Sequence, residues 1–208
     1  MIELKGWNIL NHKSLSNFAP FIGFDIETYS PKGFPKNFED PIVAATIALS
    51  INEDFKNGLI VLSSIFPSSS ETLILKWILN TLNSLPKGYI LTYNGKRFDI
   101  TYMMTRAKRC GINYCERALS KHAHIDLYEK VKQNGKLPSF KQKVVEQFLG
   151  IKRQIMNVEG ANYYKYYEKF LGYGDLTPLF YNIEDAVKCI ELSFRLKNDK
   201  AFIHIAKQ

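Results

Sequence analysis

The sequence predicts an α/β fold with a mixed sheet, in which three antiparallel strands come first, parallel strands are added later, and helices cover both faces. Three apolar strand segments follow one another closely near the start, and strand and helix segments alternate after them. Strands in close succession favour antiparallel pairing, whereas a strand reached through a helix is typically added in parallel. The length of 208 residues suits one domain over residues 1–208, and the apolar content of 46% is too high for a disordered chain.

Short apolar segments bounded by turn residues predict the first three strands. These segments are Phe21–Ile26, Ile42–Ser50 and Leu59–Ser63, and the second is rich in β-branched residues. Prolines and a glycine within residues 31–41 indicate an irregular loop between the first two strands. Residues 52–58 predict the turn before the third strand.

Helices and strands alternate in the rest of the chain. Ser68 and Glu71 form the pattern of a capping box, which predicts that a helix begins there and continues over Leu73–Leu82. The segments that follow are a strand at Tyr89–Tyr93, a helix at Phe98–Lys108, a short strand at His124–Leu127, a helix at Phe140–Leu149 and a final helix at Phe180–Leu196.

Tyrosines crowd the segment that precedes the final helix. Spacings of three and four residues place Tyr163, Tyr166 and Tyr167 on one helical face, with Lys165 and Lys169 between and after them. Aromatic rings among lysines can stack on single-stranded bases. The interpretation that we favour is an amphipathic helix that packs its tyrosines on the core.

The net charge of +8 is concentrated in the middle of the chain. Residues 96–153 contain 14 of the 28 Lys and Arg but only 5 of the 20 Asp and Glu, and the remaining residues are close to neutral. A solvated basic face explains this as well as a surface that contacts backbone phosphates. Charge alone does not separate the two interpretations.

The sequence also bears on where the protein is located and on whether it spans a membrane. No apolar run approaches the roughly 20 residues of a membrane span, and the first five residues lack the pattern of a signal peptide. Three cysteines at unremarkable spacing (Cys110, Cys115 and Cys189) do not indicate a disulfide framework. We expect a cytoplasmic protein without a membrane partner.

Carboxylates occur at three positions where a site is commonly built. Asp25 and Glu27 lie on one face at the end of the first strand, and Asp99 begins the helix after a later strand. Tyr181 and Asp185 share one face of the last helix. Each position has an ordinary structural explanation: a solvent-facing pair, an acid favoured by the helix dipole, and a packed tyrosine beside an acid.

Together these acids point to a divalent metal site. Carboxylate oxygens suit Mg²⁺ or Mn²⁺, and two such ions can activate a water and stabilise the leaving oxygen of a phosphodiester. The chain has no Cys/His cluster with zinc spacing and no phosphate-binding GxxxxGK[ST] loop.

Three segments, in order, resemble the motifs of the DEDD 3′–5′ exonucleases, and most closely the proofreading domain of family-B DNA polymerases. Phe24–Thr28 resembles the first motif, Tyr93–Asp99 the second, and Tyr181–Ala186 the third. The tyrosine at position 181 corresponds to the DEDDy branch. The resemblance extends over about residues 21–197 and implies a ribonuclease H-like fold.

The resemblance also implies the roles of the site residues. Asp25, Glu27, Asp99 and Asp185 would bind two ions of Mg²⁺ or Mn²⁺, and Tyr181 would orient the attacking water.

Three further residues are implied to contact substrate. Thr28 would contact the 3′-terminal nucleotide, Asn94 would hold its turn or contact substrate, and Phe98 would pack against a terminal base.

The leading hypothesis is therefore a metal-dependent 3′–5′ exonuclease of single-stranded DNA or frayed 3′ ends, which releases nucleoside 5′-monophosphates by a two-metal mechanism. Because no polymerase segment is recognised in this sequence, a DNA repair or proofreading role would need a separate polymerase or repair partner. One alternative is an RNA-directed or structure-specific nuclease of the same fold. Another is a catalytically silent, nucleic-acid-binding accessory subunit.

Overall fold

The computed structural model describes residues 19–50, 58–133 and 137–198, which form a five-stranded sheet with the strand order β3-β2-β1-β4-β5. The strands are β1 (Phe21–Thr28), β2 (Ile42–Ser50), β3 (Leu59–Ile65), β4 (Tyr89–Thr92) and β5 (Ala123–Asp126). β1, β2 and β3 pair antiparallel, whereas β4 joins β1 and β5 joins β4 in parallel. The predicted mixed sheet is thereby confirmed.

The helices of the described residues lie mainly after β3. They are α1 (Glu71–Ser84), α2 (Asp99–Arg109), α3 (Cys115–Ser120), α4 (Leu127–Lys132), α5 (Gln142–Phe148), α6 (Tyr163–Tyr173) and α7 (Thr177–Asn198), with a 3₁₀ turn at Ser68–Ser70 before α1. None of these helices is long and apolar enough to cross a membrane.

The alternation of side chains along β1 assigns one core to each face of the sheet. Ile22, Phe24 and Ile26 are buried in the same cluster as residues of α1, α2 and α3. The intervening residues face the side on which α7 lies, where a second cluster joins α7 to β2 and β4. Asp25 and Glu27 therefore share the α7 face, as the spacing of two predicts.

A glycine permits the close approach of α7 to β1. A Cβ atom at Gly23 would lie 2.1 Å from the carbonyl oxygen of Ala186, which is too close for any side chain. The helix backbone thus rests directly on the strand, two residues before Asp25 and one residue after Asp185.

The predicted capping box at the start of α1 is wrong. Helical structure does begin at Ser68, but Ser68 lies inside the 3₁₀ turn and is not an N-cap. Neither of the actual N-cap residues, Pro67 and Ser70, makes a side-chain capping hydrogen bond. The Glu71 carboxylate instead accepts hydrogen bonds from the Ile42 backbone N–H at 2.8 Å and from Arg106 Nε at 2.7 Å. Tertiary partners therefore bind the carboxylate that the local pattern assigned to the helix end.

The remaining predicted elements differ from the structure by a few residues at their ends. β1 continues two residues beyond the predicted end, so that Glu27 and Thr28 belong to the strand. The turn expected at residues 52–58 lies outside the described residues except for Gly58. The favoured interpretation of the tyrosine segment is confirmed, because Tyr163 and Tyr167 are 0% exposed on α6.

Candidate metal centre

Three of the predicted acids converge between β1 and α7. One carboxylate oxygen from each of Asp25, Glu27 and Asp185 lies within 4.8 Å of the others. Asp25 and Glu27 come from the end of β1, and Asp185 comes from α7, which the contact at Gly23 holds against the strand.

The fourth predicted acid lies beside these three. Asp99 is the first residue of α2 and is 3% exposed, and its Oδ1 accepts a hydrogen bond from the Ile26 backbone N–H at 3.1 Å. That hydrogen bond fixes Asp99 to the strand residue between Asp25 and Glu27. We refer to Asp25, Glu27, Asp99 and Asp185 as the acid cluster.

The acid cluster is electrostatically unfavourable without added cations. Burial, followed by the charges of Asp99, Asp185 and Glu27, raises the pKa of Asp25 well above its usual range. Burial and the charges of Asp185 and Asp99 do the same to the pKa of Glu27. Burial raises the pKa of Asp99 to about 7, although its backbone hydrogen bonds oppose the change. Such a group binds protons or divalent cations, and its oxygen donors fit Mg²⁺ or Mn²⁺.

Tyr181 lies beside Asp185, one helical turn earlier on α7. It is 6% exposed, and burial together with the neighbouring carboxylates raises the pKa of its phenol. Burial raises the pKa of the Asp185 carboxylate, whereas the charge and hydrogen bond of Arg153, and then the nearby phenol of Tyr181, lower it. The phenol therefore keeps its proton at neutral pH and can donate it in a hydrogen bond.

A buried amide holds Asp25 in place. Asn182 is 0% exposed, and its Nδ2 donates to Asp25 Oδ2 at 2.7 Å. The Asn182 Oδ1 in turn accepts a hydrogen bond from Thr46 Oγ1 at 2.5 Å. Asn182 was not among the predicted site residues, although its place three residues before Asp185 on the same helix is a usable signal.

A buried ion-pair network holds Asp185. Arg153 forms salt bridges with both Glu146 and Asp185, and the side chains of Arg153 and Glu146 are 3% and 1% exposed. Glu184 fixes the segment that carries this arginine, because its carboxylate accepts hydrogen bonds from the Gln154 and Ile155 backbone N–H groups. The sequence offered no local signal for Arg153, which lies 32 residues before Asp185 in the chain.

The residues predicted to contact substrate differ in their exposure and in their hydrogen bonds. Thr28 is 6% exposed, and its hydroxyl lies 2.8 Å from the Ser30 hydroxyl. Asn94 adopts a φ of 66°, and its backbone N–H donates to Asp126 Oδ1 at 2.9 Å. Asn94 therefore lies in the turn before α2 with its backbone bound to Asp126.

Phe98 lies at the start of α2 in contact with a second aromatic ring. The centroids of Phe98 and Phe34 are 5.4 Å apart, and Phe34 is 65% exposed. An exposed large aromatic residue of this kind offers a face on which a base can stack.

Some of the basic side chains of residues 96–153 donate hydrogen bonds to backbone carbonyls of the protein itself. Arg106 and Arg109 both donate to the Phe38 carbonyl, which fastens the loop after β1 to α2. Lys143 donates to the Val158 carbonyl, and its Nζ lies 5.3 Å from the centroid of the Tyr181 ring. The basic segment is therefore partly structural, and only its other side chains remain candidates for phosphate contacts.

A mixed five-stranded sheet with buried acids at the end of its central strand is the arrangement of ribonuclease H-like proteins. The family model described as the RNase_H superfamily matches residues 22–196, and the chain belongs to this superfamily. The predicted ribonuclease H-like fold is confirmed.

More specific likenesses are to DNA polymerases of archaea. The chain is 25% identical over 195 residues to a DNA polymerase of Archaeoglobus fulgidus, covering 79% of this chain and 24% of the polymerase. It is 26% identical over 215 aligned positions to a DNA polymerase of Methanocaldococcus jannaschii, covering 89% of this chain and 12% of the polymerase.

A solved structure has the same fold. The family B DNA polymerase from the hyperthermophilic archaeon Pyrobaculum calidifontis superposes with a TM-score of 0.69 at 18% identity, covering 84% of this chain and 24% of the polymerase. The resemblance to family-B polymerases stated from the motifs is thus confirmed. The chain spans a quarter or less of the length of these relatives.

Proposed function

We propose that this chain is a metal-dependent 3′–5′ exonuclease that hydrolyses single-stranded DNA or frayed 3′ ends and releases nucleoside 5′-monophosphates. The observation that carries the proposal is the convergence of Asp25, Glu27 and Asp185 oxygens within 4.8 Å, with the buried Asp99 alongside. The relation to DNA polymerases supports DNA as the substrate. In this proposal residues 1–208 make one exonuclease domain with its core at about 21–197.

The acid cluster would bind two divalent cations, Mg²⁺ or Mn²⁺. Such ions supply an activated water and neutralise the charge that develops on the leaving 3′ oxygen. The protein's part is to hold the four carboxylates in fixed positions. Asn182 orients Asp25, and Arg153 orients Asp185 through its Oδ1.

Tyr181 would orient the attacking water. Its phenol keeps its proton because burial and the adjacent carboxylates raise its pKa, so it acts as a hydrogen-bond donor and not as a base. Its position one helical turn before Asp185 on α7 sets the phenol beside the acid cluster. A donor held there can fix the direction of a water relative to the terminal phosphorus.

The 3′ end of the strand would lie beside Thr28, Asn94 and Phe98. The exposed ring of Phe34 extends the aromatic surface of Phe98, which suits the stacking of a terminal base. We place the strand along the basic segment between the second and third motifs. Because the relatives are polymerases, a separate polymerase or repair protein is the partner that we propose.

The experiment is a time course on 5′-labelled single-stranded DNA and on RNA of the same sequence, with Mg²⁺, Mn²⁺ or EDTA. We expect a ladder that shortens from the 3′ end of the DNA in the presence of either ion and no reaction in EDTA. Asp25→Ala and Asp185→Ala should each lose at least about 100-fold in rate, since removing a metal ligand commonly costs more than removing its neighbours.

The matched control is Glu116→Gln, which removes an exposed carboxylate from α3 and should keep the wild-type rate. Faster digestion of RNA, or cleavage only at junctions, would favour an RNA-directed or structure-specific nuclease on the same fold. Binding of DNA without any cleavage would favour a silent accessory subunit. Cleavage that persists in EDTA would contradict the proposal.

A further inference from the structure

A second tyrosine lies deep beside the acid cluster. Tyr163 is the first residue of α6 and is 0% exposed, and its ring centroid lies 6.2 Å from that of Tyr181. It packs in one buried group with Ala44 of β2. Ala44 is the cross-strand partner of Glu27, so Tyr163 reaches the acid cluster from the side of β1 and β2.

The hydroxyl of Tyr163 has no hydrogen-bond partner. Within the described residues, two buried side-chain polar atoms have no hydrogen-bond partner: the Tyr163 hydroxyl oxygen and Arg153 Nη1. Tyr167, one turn later on α6 and equally buried, donates its hydroxyl to the Phe66 carbonyl at 2.9 Å. A buried hydroxyl without a hydrogen-bond partner lowers the stability of a protein, so most buried hydroxyls are paired. The unpaired ones often lie at a site that binds a ligand.

Asp25 and Glu27 lie close enough to Tyr163 for their charges to act on its phenol. After burial, the charges of Glu27 and Asp25 are the largest causes that raise the pKa of Tyr163 well above its usual range. The hydroxyl therefore remains protonated and can act as a donor near Glu27. On the other side of the acid cluster, Tyr181 and Arg153 lie beside Asp185.

We propose that Tyr163 is a positioning residue of the metal centre, whose hydroxyl acquires its missing partner by donating to the Asp25–Glu27 side of the acid cluster when divalent cations fill it. The inference rests on the proposed function, because it requires cations in the acid cluster. Tyr163 does not act on the reacting atoms. When cations are bound, its hydrogen bond would link the acids of β1 to α6.

The test compares Tyr163→Phe with Tyr167→Phe, each of which removes one buried hydroxyl from α6. Two quantities that do not depend on catalysis are measured: the dissociation constant for Mn²⁺, from the electron paramagnetic resonance of free Mn²⁺, and the melting temperature with EDTA or saturating Mn²⁺.

We expect Tyr163→Phe to weaken Mn²⁺ binding about fivefold, as the loss of one hydrogen bond implies, and to reduce the stabilisation by Mn²⁺. Its melting temperature in EDTA should equal or exceed that of the wild type, because the hydroxyl removed has no partner there. Tyr167→Phe should melt lower in EDTA and bind Mn²⁺ with wild-type affinity.

Wild-type Mn²⁺ affinity in Tyr163→Phe would overturn the inference while leaving the proposed function intact. A lower melting temperature of Tyr163→Phe in EDTA, with an unchanged response to Mn²⁺, would show a purely structural hydroxyl and overturn it as well. A wild-type protein that binds no Mn²⁺ would instead contradict the proposed function itself, and the inference with it.

Discussion

Two carboxylates, the buried Glu71 and the partly buried Asp25, lie on opposite sides of the sheet and have opposite surroundings. Glu71 is bound by the Arg106 guanidinium and by the Ile42 backbone N–H, so its charge is balanced and its oxygens are occupied. Asp25 is bound by the neutral amide of Asn182, and its other close neighbours are acids. The comparison teaches that burial of an acid does not identify a site, whereas burial without a balancing charge does.

The largest difference between the two acids should appear on neutralising Asp25. Asp25→Asn removes a proposed metal ligand, so kcat/KM on a labelled oligonucleotide should fall at least about 100-fold. The same change removes a repelling charge from the acid cluster. Urea unfolding in EDTA should therefore show a variant that is at least as stable as the wild type at pH 8.

A marked loss of stability in Asp25→Asn would mean that Asp25 has a balancing partner like that of Glu71. The comparison between the two acids would then be wrong.

Neutralising Glu71 should have the reverse pattern. Glu71→Gln leaves the Arg106 guanidinium without its counter-charge, and the Arg106 side chain is only 15% exposed. We expect unfolding free energy to fall by about 3 kcal/mol, measured by urea titration, because one partner of a buried pair remains uncompensated. Activity per folded molecule should be unchanged.

The double variant Glu71→Gln with Arg106→Met serves as the control, since it removes both charges and should recover part of the loss. Loss of activity in fully folded Glu71→Gln would contradict its assignment as a structural acid.

Arg153 tests Asp185, the acid of the cluster with which it forms a salt bridge. Arg153→Met leaves Glu146 and Asp185 unpaired, so we expect a loss of about 2 kcal/mol in unfolding free energy at pH 8, since one or both acids can take up a proton. The rate of DNA digestion should fall about tenfold because Asp185 loses its orientation.

The neighbouring Lys152→Met removes an exposed charge and should alter stability by less than about 0.5 kcal/mol. Equal effects of the two substitutions would exclude the buried network as the cause.

The smallest expected effect is a dependence of the stability of the metal-free protein on pH. Asp25, Glu27 and Asp99 have raised pKa values, that of Asp99 being about 7, so the folded state binds their protons more tightly than the unfolded chain does. Stability in EDTA should therefore rise by about 1 kcal/mol or more as the pH falls from 8 to 6.5. Unfolding in urea at each pH measures it.

The pH range is limited because His122 and His124 act in the opposite direction below about pH 6.5. Burial lowers the pKa of both side chains, so their protonation favours the unfolded chain. Asp25→Asn should reduce the slope between pH 8 and 6.5, and saturating Mn²⁺ should abolish it. A stability that falls over that range would contradict the raised pKa values.

The sheet and the acids could be predicted from the sequence because local patterns encode them. Apolar runs with turn residues between them located all five strands to within two or three residues at each end. The carboxylates were recognised because their positions follow from strand and helix periodicity. Both kinds of signal depend on residues close together in the chain.

The partners of those acids could not be predicted, because they come from distant parts of the chain. Thr46 and Asn182 are separated by 136 positions, and nothing in either segment indicates the other. The mistaken capping box at Glu71 has the same cause, since Ile42 and Arg106 compete for the carboxylate and prevail. The unpaired hydroxyl of Tyr163 is visible only when the whole surrounding group is assembled.

Gly23 also determines how little the distance across the acid cluster can vary. A helix that rests on side chains can settle by a fraction of an ångström as those side chains repack, but here the Ala186 carbonyl meets the main chain of β1 itself. The spacing between the main chains that carry Asp25 and Asp185 is therefore limited by backbone contact at Gly23. A position that carries no side chain and no charge thus sets the spacing of the strand and the helix that carry the acid cluster.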